Sequence, residues 1–133
     1  AIITTVGPVH IEFFRDEEAI ADAKVLGVKY VIVPSLPRSK AGFTAEDARR
    51  VAAEFNVWGR AVRDAGLQFG YHPHGFEFVA GADGKTPFDV LVTETDPALV
   101  CFEMDVFWVF HAGQDPVKLR VPTESADLAR RQR

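Results

Sequence analysis

Between Gly27 and Pro34 the chain runs Val28-Lys29-Tyr30-Val31-Ile32-Val33, a nearly unbroken apolar stretch that proline then closes. A strand with one wet face alternates polar and apolar residues. A run like this one reads instead as a strand buried on both faces, the usual state of strands in a parallel sheet. Parallel neighbours need crossover connections, so helices are expected on either side of it.

The flanking sequence has that rhythm. Ile2 to Val6 is a short β-branched run stopped by Gly7-Pro8. Asp16, Glu17 and Glu18 place negative charge where a helix begins, and Ile20, Ala23 and Leu26 recur at helical spacing before Gly27. After a polar loop from Ser35 to Phe43, Thr44 and Asp47 form a capping-box pattern with Asp in place of Glu. Val51, Phe55, Trp58 and Val62 then draw one apolar stripe along a long helix that Gly66 ends. Leu67 to His72 reads as the third strand, Thr86-Pro87 as the start of another helix, and Leu99 to Asp105 as the fourth strand. Val106 to Ala112 turns helical, and residues 119–133 form a polar, basic tail. The order βαβαβαβ argues for an α/β fold of parallel strands joined by right-handed crossovers. A closed (β/α)8 barrel takes about 250 residues. This chain of 133 residues therefore spells either an open parallel sheet or roughly half a barrel, with residues 1–118 as its domain.

Composition narrows the partners. With 47% apolar residues the chain has a core to bury, which excludes intrinsic disorder. No apolar run nears the roughly 20 residues needed to cross a bilayer, so no membrane association is expected. Fifteen basic against 19 acidic residues leave a formal charge of −4. No basic stripe is left to neutralise phosphates, so nucleic acid is not an expected partner. The single cysteine, Cys101, has no internal partner and no export leader opens the chain, which together read as cytoplasmic. The start at Ala1 reads as a trimmed start or a fragment.

The chemistry gathers where the predicted strands end, which is where parallel α/β folds build their sites. Strand three runs out in Tyr71-His72-Pro73-His74-Gly75-Phe76-Glu77-Phe78. His72 and His74, two apart in extended chain, point to one side. Glu77 returns toward the same mouth if the chain turns at Gly75. Strand four ends in Phe102-Glu103-Met104-Asp105, where Glu103 and Asp105 share a face. Imidazoles and carboxylates converging in this way suit a divalent ion such as Mn²⁺, Zn²⁺, Co²⁺ or Mg²⁺. Such an ion polarises a substrate carbonyl while a neighbouring group moves a proton. Each residue also has a plainer role open to it. Glu77 suits a solvated loop, Asp105 a helix cap, Glu103 an ion pair, Trp108 the core, and His10 and His111 the surface.

The combination of motifs resembles the sugar phosphate isomerase/epimerase family, the xylose-isomerase-like TIM barrels. Tyr71 to Phe78 is similar to its YHNHxxEF stretch, Asp83-Gly84-Lys85-Thr86-Pro87-Phe88-Asp89 to its DGKTPYD turn, and Thr95-Asp96-Pro97 to its TDP. Phe102 to Trp108 resembles its ExDxYW segment, Ala112 to Pro116 its AGxDP, and Leu26 to Pro34 its LGxKYVVVP strand. The resemblance implies about half of a (β/α)8 barrel and a metal-dependent isomerase or epimerase. Its substrate would be a sugar, sugar phosphate or polyol, and its reaction proton abstraction beside a carbonyl. It implies His72 and Asp105 as metal ligands, Asp105 matching the family's Asp and His72 standing where other branches carry Glu. His74 and Glu77 would act catalytically, Glu103 and Trp108 on the substrate. Pro73 replaces the usual Asn, and the later His and Glu ligands have no counterpart. A missing half-barrel or a homo-oligomer is expected to complete the fold. The alternative is a non-catalytic remnant or interaction module that has lost part of the metal site.

Overall fold

Four strands lie side by side in the order in which the chain makes them, each parallel to the next. They are β1 (Ile3–Thr5), β2 (Tyr30–Val33), β3 (Gln68–Tyr71) and β4 (Val100–Phe102). The computed structural model describes residues 3–5, 25, 27–38, 40, 42–119 and 121. A doubly wound sheet reverses its strand order at a switch point. Here the order only advances, as around the wall of a barrel, and this decides between the two architectures the sequence allows. The helix expected from Asp16 to Leu26, apart from Val25, lies outside the described residues, as do His10 and residues 122–133.

Helix α1 (Ala45–Asp64) begins as its sequence dictates. Thr44 Oγ1 accepts from the Asp47 amide at 3.2 Å and the Asp47 carboxylate from the Thr44 amide at 3.1 Å. The two Thr44 donors hold the Asp47 carboxyl below its ordinary range. Gly66, just past the helix, takes φ +83°, a left-handed conformation that glycine adopts without steric cost. Helix α2 (Pro87–Glu94) repeats the capping device with Thr86 and Asp89 at 2.8 and 3.0 Å. A 3-10 turn (Phe76–Phe78) follows β3, and α3 (Val106–His111) follows β4.

The two faces of the sheet are used differently. Val31, Val33, Phe69, Tyr71 and Val100 join the stripe of α1 (Val51, Phe55, Trp58 and Val62) in the main core. Phe55 is its hub, with its ring 5.2 Å from Phe69 and 5.4 Å from Tyr71. Helix α1 comes close enough that a Cβ on Gly59 would sit 2.7 Å from the Leu99 carbonyl oxygen. On the opposite face Ile32, Gly70 and Cys101 stand in register as one rung. There Gly70 yields its side-chain space to its neighbours, since a Cβ would meet Ile32 Cδ1 at 2.6 Å and Cys101 Sγ at 2.8 Å. A second, smaller core gathers Phe78, Phe88 and Val109. Leu119 and Val121, assigned to the tail by composition, pack against it.

Candidate functional site

The ladders of β3 with β2 and of β4 with β3 each continue one rung past the strands. The His72 amide donates to the Val33 carbonyl at 3.0 Å and the Glu103 amide to the Tyr71 carbonyl at 2.9 Å. Side chains alternate along a strand, so the face carrying Gly70 and Cys101 next presents His72 and Glu103. They meet there, with His72 Nδ1 3.0 Å from Glu103 Oε2. When Nδ1–H donates to that carboxylate, the neutral ring presents its Nε2 lone pair. Glu103, expected on substrate, has its carboxylate against the His72 ring.

His72 and His74 do come together, as their spacing implies, with ring centroids 4.7 Å apart. Trp108 follows at 5.3 Å from His74, so this ring stands at the rim rather than in the main core. His111, expected at the surface without companions, is exposed but stacks on Phe107 at 5.7 Å and lies 5.9 Å from Trp108.

Glu77 takes another place from the one its motif implies. The chain does turn at Gly75, with φ +103°, but the turn carries the carboxylate inward, to the side of Tyr71. Glu77 is fully buried. It accepts the Tyr71 hydroxyl, the Gly75 amide at 2.9 Å and the His74 amide at 3.1 and 3.2 Å. Burial first, and then the Glu77 charge, push the Tyr71 hydroxyl far above its ordinary pKa, so it remains a donor. A carboxylate so enclosed is not presented to a substrate. Its role is to fix the backbone of His74 and Gly75, and it is a positioning residue.

Asp105 caps α3. Its Oδ1 accepts from the Phe107 amide at 2.8 Å, the helix-cap role that its sequence context also allows. Its second oxygen makes no hydrogen bond among the described residues, and no hydrogen bond or ion pair joins Asp105 to His72. For a divalent ion the chemistry of these two donors is right, an imidazole nitrogen and a carboxylate oxygen. The set is nevertheless short. Among the described residues no group of three or more His, Cys, Asp or Glu side chains is arranged to hold a metal ion, so the expected His72 and Asp105 pair is not a complete metal centre.

Composition and motif spacing give no hint of Arg38 and Ser35. Both belong to the loop after β2 and line the recess beside His74 and Trp108. The general rule that loops after parallel strands share one mouth is the signal that finds them.

No family model matches the chain, and no curated protein does. Solved structures do, among them two sugar phosphate isomerase/epimerase proteins of Parabacteroides distasonis. The first superposes with a TM-score of 0.75 at 29% identity, over 87% of this chain and 46% of its own. The second gives a TM-score of 0.69 at 34% identity, over 81% of this chain and 40% of its own. The chain thus spans less than half the length of the structures it matches. Among the described residues no helix is long and apolar enough to cross a membrane.

Proposed function

From a chain that is a structural relative of sugar phosphate isomerase/epimerase proteins, as this one is, we propose the working part of a sugar isomerase or epimerase site. The substrate would be a sugar, sugar phosphate or polyol that loses a proton beside its carbonyl. The observation that carries this reading is the paired imidazoles at the rim, each held by its own carboxylate. Glu103 orients the ring of His72 at 3.0 Å, and Glu77 fixes the backbone of His74.

In this reading His74 moves the proton, because it is an imidazole beside an open recess and its main chain cannot drift. His72 presents Nε2 toward the substrate oxygens, and Trp108 supplies a flat wall on which a sugar face rests. Proton transfer from a group so positioned contributes about 10²–10⁴-fold in rate. A divalent ion belongs to the proposal only with ligands from beyond the described residues. His72 and Asp105 would be two of its donors, and when bound it would polarise the substrate carbonyl. Completion of the barrel, by further chain or by a second copy, belongs to the same proposal. So does a cytoplasmic setting, supported by the free thiol of Cys101.

Exchange of the sugar α-proton with deuterated water, with and without Mn²⁺, tests the reading. Exchange that His74→Ala reduces at least hundredfold supports it. Absence of exchange with any aldose or ketose, with the rim intact, would overturn it in favour of a binding module.

A further inference from the structure

Beside the imidazoles, between the loop after β2 and helix α3, lies a cavity of about 350 Å³. Small-molecule sites occupy about 300–1,000 Å³. Its lining includes Arg38, His74, Phe76, Trp108 and His111. Two walls are aromatic, and three of the polar groups are a guanidinium and two imidazoles. None of its described lining residues is Asp or Glu, in a chain that carries 19 of them.

Two polar groups here have no hydrogen-bonding or ionic partner among the described residues. The Arg38 guanidinium lies 4.4 Å from the centroid of the Phe76 ring. It forms no ion pair among the described residues, although Arg50 and Lys118 each have one and Arg49 has two. Resting on an aromatic face orients the guanidinium plane and leaves its N–H fork free for a planar or tetrahedral oxyanion. The second is His74 Nδ1, which is buried with no hydrogen bond among the described residues. Buried nitrogens in folded proteins are nearly always satisfied, and this unsatisfied one belongs to a residue that lines the cavity.

We propose that this cavity is a subsite for an oxyanion carried by the sugar, a phosphate or a carboxylate, and that Arg38 is its specificity-determining residue. The inference rests on the isomerase reading for the identity of the sugar, and it adds the charge of the substrate and the group that reads it. A fork of two N–H groups meets two oxygens of either anion at once, which a neutral hydroxymethyl group cannot match. Trp108 and Phe76 wall the cavity with apolar surface that weakens competition from water. His74 is shared between the cavity and the rim, so an anchored anion holds the reactive end of the sugar against the imidazoles.

Calorimetric titration of the whole chain with glucose 6-phosphate, glucuronate, glucose and inorganic phosphate tests the subsite. One of the two anionic sugars is expected to bind at least tenfold more tightly than glucose, and whichever does so identifies the anion. Arg38→Gln is expected to remove about 10–100-fold of that affinity, the value of a charged hydrogen-bonded pair. Arg38→Lys keeps the charge without the fork and is expected to recover only part of it. Arg38 is exposed, so these variants should fold, and near-ultraviolet circular dichroism checks this. Equal binding of charged and neutral sugars, or an anion preference that survives Arg38→Gln, overturns the subsite. The proton-exchange assay separates the two claims. Exchange on neutral sugars without anion preference sinks the subsite alone, whereas Arg38-dependent anion binding without any exchange sinks the isomerase reading alone.

Discussion

The hydroxyl of Tyr71 donates to the buried carboxylate of Glu77, tying the last residue of β3 to the turn that follows it. That bond, with the His74 and Gly75 amides on the same carboxylate, converts a flexible Gly-containing turn into a fixed platform for His74. Glu77→Gln keeps the volume and removes the charge, leaving an amide nitrogen to face donors. It should cost about 1.5–3 kcal/mol, the range for hydrogen bonds to charged groups. Urea unfolding checks this, and a loss below a few tenths would mean that the latch is not rigid.

The same pair sets an alkaline limit. Burial raises the Tyr71 hydroxyl above its ordinary value of 10.0 in the folded chain. Between that value and the raised one the unfolded state has released a proton that the native state retains, so stability must fall as pH rises. Below pH 10 both states hold the proton and Tyr71 contributes no slope. Unfolding free energy measured from pH 8 to 11.5 should bend downward near pH 10. Tyr71→Phe should be less stable at neutral pH but lose that component of the bend.

Gly59 sits in the middle of α1, where glycine costs a helix about 1 kcal/mol relative to alanine. By helix propensity alone, Gly59→Ala should stabilise. The opposite is expected here, because the new Cβ would meet the Leu99 backbone oxygen at 2.7 Å and backbone cannot rotate away as a side-chain tip can. A loss of roughly 1–3 kcal/mol, typical of overpacking, should appear in thermal melts, and a gain would show that helix and strand can move apart.

Glu103→Gln separates orientation from binding at the rim. It keeps a side chain beside His72 Nδ1 but weakens the acceptor, so a fall of about 10–100-fold in turnover or in Mn²⁺ affinity is expected, the usual effect of losing an orienting partner. Stability should change little, since Glu103 is only partly buried. Unchanged turnover and metal affinity would leave the pair a structural contact.

Much of this architecture is legible along the chain because it is made by short-range rules. The caps at Thr44 and Thr86, the four-three-four stripe on α1 and the doubly buried run ending at Val33 each depend on residues a few positions apart. They alone call for alternating helices and parallel strands, and the period of two brings His72 beside His74. What they leave open is which side of the sheet end a residue takes after a turn. Glu77 has the same local sequence whether it faces the mouth or the helices. The Tyr71 hydroxyl and two waiting amides decide for the helices.

Tertiary structure likewise decides the partners of the rim. His72 and Glu103 are 31 residues apart, and only the parallel register of β3 with β4 makes them neighbours. Asp105 could cap or ligate, and the start of α3 claims one of its oxygens. Arg38 belongs to no motif and gains meaning from the cavity that three loops and helices enclose around it. The sequence by itself determined the elements and their order, because propensity, capping and periodicity act within a few residues. Which side chains share a pocket was decided by the sheet register and by the packing of its two faces, which no single segment contains.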